Sequence, residues 1–153
     1  MSRILLDTNA AIDLVFPREQ ERREAMIAIL CELSEERDEL LLPSLCLKDV
    51  SYVLENSAAA KRRWAERADR MALSSRARSY LLAHCTIVAV DDLVCRRAHR
   101  NHTEPDFNDA LVAECAVIAH ADVILSSDRR AFNASLVPKM SPQEFARHLA
   151  VRD

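Results

Sequence analysis

Short apolar runs alternate with longer amphipathic stretches along this chain. The runs at 4–6, 40–42 and 123–125 are too short for a buried helix and are typical of strands covered on both faces. Strands are predicted at 3–7, 40–43, 86–90, 123–126 and 136–138. Helices are predicted at 9–16, 18–37, 45–57, 58–84, 92–101, 106–120 and from Ser141-Pro142 onward, with a helical turn at 128–132. This alternation predicts one α/β domain over residues 1–153, a three-layer α/β/α sandwich with a mainly parallel central sheet.

Two local features set the expected helix boundaries. Pro17 is expected to stop the first helix, because proline disfavours the α conformation of the residue before it. The stretch 58–84 is predicted to form one or two helices, with a break near Ser74-Ser75. We find no repeat, linker or low-complexity tract in the sequence, so a single domain remains the simplest prediction.

Acidic residues follow the ends of two predicted strands. Asp7 follows the first strand, and Asp128 follows the strand at 123–126. Ligands bind beyond the carboxyl ends of the strands in open α/β sheets, so we expect both acids at one edge. Asp49, Asp106 and Asp109 lie on or at the start of predicted helices and are expected at the same edge. Ionised carboxylates held together need a cation, so the pattern predicts a site for Mg²⁺ or Mn²⁺.

Each of these acids also has a purely structural explanation. Asp7 and Asp128 could be helix N-caps, and Asp106 and Asp109 could complement a helix dipole. Asp49 lies in the middle of a predicted helix, where capping does not explain it. The joint placement of the acids, rather than any one of them, favours a metal site.

The chain has no glycine, five cysteines and no long apolar run. The missing glycine excludes a P-loop and a dinucleotide fingerprint, because both need glycine where the backbone approaches phosphates. No two cysteines have C-x-x-C spacing, so we expect reduced core thiols and a cytoplasmic protein. No run reaches about 20 apolar residues, and residues 1–20 lack a signal-peptide pattern, so no membrane association is expected.

Positive charge is concentrated in one segment, although the net charge is only −3. Residues 61–78 hold seven lysines and arginines against Glu66 and Asp69. This basic segment is either a surface for a phosphate backbone or a solvated helical face.

Cys95, His99 and His102 are spaced i, i+4 and i+7, which could place three zinc ligands on one helical face. No nearby residue has the spacing to complete such a site. Three arginines in the same stretch favour a helix that faces nucleic acid instead.

Four segments resemble the motifs of PIN domains, in the order in which that family carries them. They are Leu5-Leu6-Asp7-Thr8-Asn9, Leu47-Lys48-Asp49-Val50-Ser51-Tyr52-Val53-Leu54, Asp106-Phe107-Asn108-Asp109-Ala110-Leu111-Val112-Ala113, and Leu125-Ser126-Ser127-Asp128 with Phe132 after it. Ser141-Pro142-Gln143-Glu144-Phe145 also resembles the last helix of that family. The resemblance spans essentially the whole chain. It implies a PIN fold and a Mg²⁺- or Mn²⁺-dependent nuclease, a class that in bacteria includes many ribonuclease toxins of VapBC-type toxin–antitoxin pairs.

The resemblance also implies a role for each matching residue. The implied catalytic acids are Asp7, Asp49, Asp109 and Asp128, and the implied metal ligands are Asp7, Asp106, Asp109 and Asp128. The implied supporting residues are Thr8, Asn9 and Ser126. Thr8 and Asn9 would fix the loop after the first acid, and Ser126 would supply the hydroxyl that orients the site.

The implied reaction is hydrolysis of RNA phosphodiester bonds, with a cognate antitoxin protein as partner and a homodimer as the assembly. The alternative is a catalytically weak or inactive PIN-like module that binds RNA or a protein partner. It is favoured by Asp49, where the family typically has glutamate, and by Ala131, where many relatives carry another acid. A DNA substrate also stays open, because no residue recognisably reads a 2′-hydroxyl. Asn9 argues against a haloacid dehalogenase-type phosphatase, which needs an aspartate at that position.

Overall fold

The computed structural model describes residues 2–16, 18–33 and 37–151. Its strands are β1 (Ser2–Leu6), β2 (Asp38–Pro43), β3 (Thr86–Val88), β4 (Val123–Leu125) and β5 (Lys139–Met140). Its helices are α1 (Thr8–Val15), α2 (Gln20–Glu32), α3 (Ser44–Asn56), α4 (Ala58–Arg63), α5 (Arg67–His84), α6 (Asp92–Arg100), α7 (Phe107–Ile118) and α8 (Pro142–Leu149). The strands form one sheet in the order β3-β2-β1-β4-β5, and each pair of neighbours is parallel.

The central strand β1 is apolar on both faces. Leu5 pairs with Leu41 of β2 and with Ile124 of β4, and all three side chains are fully buried. A strand of this kind must be covered by helices on both sides. Connections between parallel strands are right-handed as a rule, and with this strand order the rule assigns α1 to α5 to one face and α6 and α7 to the other. The helix contacts agree, because α3 packs against α1, α4 and α5, and α6 packs against α7. The predicted α/β/α sandwich with a parallel sheet is confirmed.

The break in the stretch 58–84 lies between α4 and α5, at residues 64–66, instead of near Ser74-Ser75 as predicted. Arg70 holds this break, because its guanidinium donates to the backbone carbonyls of Glu55, Trp64 and Ala65. Ser74 instead stays inside α5, fully buried, and accepts a hydrogen bond from Arg78 at 2.7 Å. These hydrogen bonds reach carbonyls 5 to 15 residues before Arg70 and stabilise the break at this position.

The region after β4 differs from the prediction in two places. Residues 128–132 form a non-helical turn instead of a helical one, and the last strand lies at 139–140 instead of 136–138. The final helix is confirmed and begins with a capping box, in which Ser141 and Glu144 each accept from the backbone N–H of the other.

The second predicted helix, 18–37, is shorter in the structure. Its helical part is α2, which ends at Glu32 because Leu33 is extended. Residues 34–36 lie outside the described residues, and so does Pro17, the predicted stop of the first helix. Within the described ranges, no helix combines the length and apolar character needed to cross a membrane.

Among the described residues, His120 and Phe132 adopt a positive φ, of 50° and 63°, although neither is glycine. His120 follows the end of α7, and its backbone N–H donates to the carbonyl of Val117, while that of Ala121 donates to Ala116. This pair of hydrogen bonds is the Schellman arrangement, in which glycine usually takes the left-handed position. Histidine takes that position in this chain, which contains no glycine.

Candidate functional site

Asp7 lies at the carboxyl end of β1, and its side chain is buried, with 7% of the residue exposed. Its Oδ2 accepts a hydrogen bond of 2.8 Å from the hydroxyl of Ser126, and its Oδ1 accepts one of 2.7 Å from the backbone N–H of Thr8. Burial raises the pKa of Asp7 above its ordinary value of 3.8, and the negative charges of Asp128 and Asp49 act in the same direction. The two hydrogen bonds oppose this rise, because they stabilise the ionised form.

The hydroxyl of Ser126 also connects Asp7 to Asp128. It accepts a hydrogen bond of 3.1 Å from the backbone N–H of Asp128 and is almost fully buried. The Asp128 carboxylate closes its own turn, since Oδ1 accepts from the backbone N–H of Arg130 at 2.7 Å and of Ala131 at 3.1 Å. These two hydrogen bonds lower the pKa of Asp128 below 3.8. The ends of β1 and β4 are therefore connected by the Ser126 hydroxyl, which binds the Asp7 carboxylate and the Asp128 backbone N–H.

Asp109 lies in the first turn of α7 and is partly buried. Burial raises its pKa to about 6, and the negative charges of Asp106, Asp7 and Asp128 contribute to the rise. Asp106 is the N-cap of α7 and accepts a hydrogen bond of 2.9 Å from the backbone N–H of Asp109. From the sequence, Asp106 was expected to complement the helix dipole, and the structure shows that it also caps the helix. Its role as an additional metal ligand stays a prediction.

Asp49, the acid of the second motif, lies on α3 and is partly buried. Its Oδ1 is 3.2 Å from the ammonium of Lys48, and its charge raises the pKa of Asp7. Thr8 contacts the buried thiol of Cys46, and this contact opposes the rise that burial causes in the thiol's pKa. The side chain of Asn9 accepts a hydrogen bond of 3.4 Å from Arg18.

The carboxylate oxygens at this edge are the kind of ligand that a hard cation prefers, although they are not yet close enough together to coordinate one ion. Throughout the described ranges, no three His, Cys, Asp or Glu side chains form a group that could hold a metal ion. In the same part of the chain, neither Asp7 nor Asp109 forms an ion pair with lysine or arginine. Both carboxylates retain oxygen lone pairs beyond their hydrogen bonds. A divalent cation therefore fits the charge and the donor chemistry of these residues.

Two side chains that the sequence analysis did not identify hold the turn after Asp128. The ammonium of Lys139 donates to the backbone carbonyls of Asp128 and Ala131, at 2.7 and 2.6 Å. The carboxylate of Glu104 accepts a hydrogen bond of 2.7 Å from the backbone N–H of Phe132. These contacts join segments that are 8 to 28 residues apart, so no spacing or periodicity in the sequence indicates them.

Asp13 on α1 is a further acid that the sequence analysis did not identify. It is 2% exposed, and neither of its carboxylate oxygens has a hydrogen-bond partner among the described residues. The guanidinium of Arg18 is 3.7 Å away, which is an ion pair beyond hydrogen-bond distance. Burial raises the pKa of Asp13 above 3.8. The signal that could have identified it is its position in the apolar stretch 10–16.

The remaining sequence predictions concern Cys95, His99 and His102 and the basic segment 61–78. Helix α6 ends at Arg100, so the helical spacing that suggested zinc ligands on one face does not extend to His102. Several cations of the basic segment 61–78 have partners within the protein.

Arg70 donates to backbone carbonyls. Arg78 donates to the side chains of Ser51, Ser74 and Glu55. Arg63 lies over the rings of Phe16 and Trp64.

Solved structures with a similar fold include the following three. VapBC2 from Rickettsia felis bound to a DNA fragment from its promoter has 12% identity and a TM-score of 0.62, covering 91% of this chain and 98% of the other. FitAB bound to an IR36 DNA fragment has 20% identity and a TM-score of 0.64, covering 92% and 95%. FitAcB from Neisseria gonorrhoeae has 18% identity and a TM-score of 0.54, covering 91% and 97%. At these identities the likeness shows the fold.

Comparison with curated protein sequences gives no match. A family model described as PIN domain matches residues 3–130. This range contains β1 except for Ser2, all of β2 to β4, and each of the five acids named above. On this match, the chain belongs to the PIN domain family.

Proposed function

We propose that this protein is a Mg²⁺- or Mn²⁺-dependent endoribonuclease and the toxin of a toxin–antitoxin pair. PIN domains are generally nucleases, which supports hydrolysis of a phosphodiester bond. The observation that carries the proposal is the bridge from Asp7 through the Ser126 hydroxyl to Asp128, with Asp109 close enough for its pKa to respond to both acids. This arrangement of acids suits a cation site beyond the ends of parallel strands.

Asp7, Asp109 and Asp128 would hold the ion, with Asp106 as an additional ligand and Asp49 beside them. When bound, the ion would lower the pKa of a water molecule and neutralise charge on the scissile phosphate. Closure of the carboxylates around it is expected, because like charges repel one another while no cation lies between them.

The protein's own residues orient these ligands. The Ser126 hydroxyl donates its single proton to Asp7, which favours the ionised form of Asp7 and fixes the direction of Oδ2. The backbone N–H groups of Arg130 and Ala131 do the same for Oδ1 of Asp128, and this leaves its second oxygen available. Thr8 fixes Oδ1 of Asp7 through its backbone N–H. In this proposal, the two acids at the strand ends are preorganised and Asp109 adjusts when the ion binds.

The proposed partners are RNA, a cognate antitoxin protein and a second copy of this chain, in the cytoplasm. The likeness in fold to the VapBC2 and FitAB complexes supports the antitoxin. An inactive PIN-like module is the second candidate. The ion pair between Asp49 and Lys48 favours it, because it occupies one oxygen of the acid of the second motif.

The test is cleavage of a mixed RNA pool with Mn²⁺, with Mg²⁺ and with EDTA, using protein freed of any copurified partner. We expect cleavage that depends on the metal and is abolished by Asp7→Asn and by Asp128→Asn. Asp69→Asn, at an exposed position of α5, is the matched control and should cleave normally. A DNA pool of the same composition reports the choice of nucleic acid.

Two outcomes would contradict the proposal. Cleavage by the Asp7→Asn or Asp128→Asn protein at the wild-type rate would show that the site lies elsewhere. No cleavage by folded wild-type protein under any condition, together with no heat of Mn²⁺ binding in calorimetry, would favour the inactive module.

A further inference from the structure

Glu104 lies in the connection between α6 and α7, two residues before the N-cap of α7. Its Oε2 accepts a hydrogen bond of 2.7 Å from the backbone N–H of Phe132, which is 28 residues further along the chain. One carboxylate thus joins the segment before Asp109 to the turn after Asp128. The contact lies at the same edge as the acids, because the charge of Glu104 also raises the pKa of Asp109.

Phe132 is the residue at which the turn after Asp128 needs support. Its φ of 63° is in the left-handed region, which a bulky residue adopts only where its surroundings enforce it. Phe132 is 2% exposed and belongs to the hydrophobic core, so packing fixes its side chain. The hydrogen bond to Glu104 fixes its backbone.

Two carboxylates bind successive N–H groups of this turn. Asp128 Oδ1 accepts from Ala131, and Glu104 Oε2 accepts from Phe132. The backbone that orients Asp128 is therefore fixed at its far end by a side chain from the α7 side of the site. Pro105, which follows Glu104, has a restricted φ and limits the movement of that side chain relative to α7.

We propose that Glu104 is a positioning residue that sets the separation of the Asp109 and Asp128 carboxylates through its hydrogen bond to Phe132. The inference rests on the proposed metal-dependent function and deepens it. The hydrogen bond, and not the charge of Glu104, performs this role. A glutamine can make the same bond, since its amide oxygen accepts, whereas an aspartate keeps the charge but lacks the reach.

The experiment measures the dissociation constant of Mn²⁺ by calorimetry for wild type, Glu104→Gln, Glu104→Asp and Glu104→Ala, at a temperature where each is folded. Loss of a residue that orients a metal ligand typically weakens metal affinity about 10- to 100-fold. We expect a loss of about tenfold or more for Glu104→Asp and Glu104→Ala, and a change of less than about threefold for Glu104→Gln.

Glu114→Ala is the matched control. Glu114 is a buried glutamate that, like Glu104, joins two segments, here through Arg97 and Asn101, but it lies further along α7 than the proposed ligands. The Glu114→Ala substitution should lower the melting temperature in EDTA without changing the affinity for Mn²⁺. Glu104→Asp keeps the measurement decisive if Glu104→Ala does not fold, since it preserves charge and most of the volume.

The outcomes separate this inference from the proposed function. Equal Mn²⁺ affinity for wild type and Glu104→Asp would overturn the positioning role while leaving the nuclease proposal intact. Loss of affinity in Glu104→Gln with retention in Glu104→Asp would overturn it as well, because charge would then be the cause. Absence of Mn²⁺ binding and of RNA cleavage by wild type would overturn both.

Discussion

Replacement of Asp109 by asparagine should stabilise the metal-free protein at neutral pH, although it removes a proposed metal ligand. The native protein holds the proton of Asp109 up to about pH 6, whereas the unfolded chain releases it near 3.8. Asp109 therefore contributes stability that is fully present below pH 3.8 and is lost as the pH rises through about 6. Asparagine never ionises, so the variant avoids that loss.

The expected size follows from three contributions. A pKa that rises from 3.8 to about 6 corresponds to about 3 kcal/mol at pH 7 if nothing screens the charge. Asp109 is only partly buried, so solvent screening reduces this to about 1–2 kcal/mol. Asparagine also loses the favourable interaction of a negative charge with the N-terminus of α7, which is worth about 0.3–1 kcal/mol. The net expectation is a gain of about 1 kcal/mol, or about 2–4 °C in melting temperature.

The assay is urea unfolding followed by circular dichroism in EDTA, at pH 4 and at pH 7, for wild type, Asp109→Asn and Asp69→Asn. The free energy of unfolding of Asp109→Asn should exceed that of wild type at pH 7 and match it at pH 4. Asp69 occupies the same first-turn position of α5 but is exposed, so Asp69→Asn should lose only the helix-dipole interaction, about 0.3–1 kcal/mol at pH 7. In buffer without EDTA, Mn²⁺ should raise the free energy of unfolding of wild type more than that of Asp109→Asn. A variant that is less stable than wild type at pH 7, or whose gain persists at pH 4, would refute the electrostatic reasoning.

Three further substitutions test separate contacts by the same unfolding assay in EDTA. Asp13→Asn should add about 1–2 kcal/mol at pH 7, because it removes a buried charge without a hydrogen-bond partner, and the gain should vanish below pH 3.8; a loss at pH 7 would contradict this. Arg70→Ala should cost about 2–3 kcal/mol, because the guanidinium donates to three carbonyls at the α4–α5 break, and Arg70→Lys should recover less than half. Ser126→Ala should cost about 1–2 kcal/mol by breaking the bridge between Asp7 and Asp128, whereas Ser126→Thr should retain most of the stability; equal losses would show that volume matters more than the hydroxyl.

The strands of the central sheet could be predicted because their residues are apolar at consecutive positions. The run at 4–6 is apolar at consecutive positions, which only a strand covered on both faces requires. The sequence predicts the last strand at the wrong place, because β5 pairs only two residues with β4, Lys139 and Met140, and both are half-buried. Its position depends on pairing with β4, which hydrophobicity does not encode.

The candidate site divides in the same way. Asp7 and Asp128 could be located at one edge because parallel strands bring their carboxyl ends together. The contact of Glu104 could not be predicted, because its partner is the backbone N–H of Phe132, and every residue except proline has such a group. The α4–α5 break escaped prediction for a similar reason, since the side chain of Arg70 binds carbonyls.

The absence of glycine has a consequence for the denatured chain. Average composition would give a chain of this length roughly eleven glycines, and each glycine adds about 0.4–1 kcal/mol of backbone freedom that folding must remove. The left-handed positions at His120 and Phe132 cost about 1–2 kcal/mol each in return. The balance is expected to favour folding by several kcal/mol, because the denatured ensemble of a chain without glycine has fewer conformations to explore.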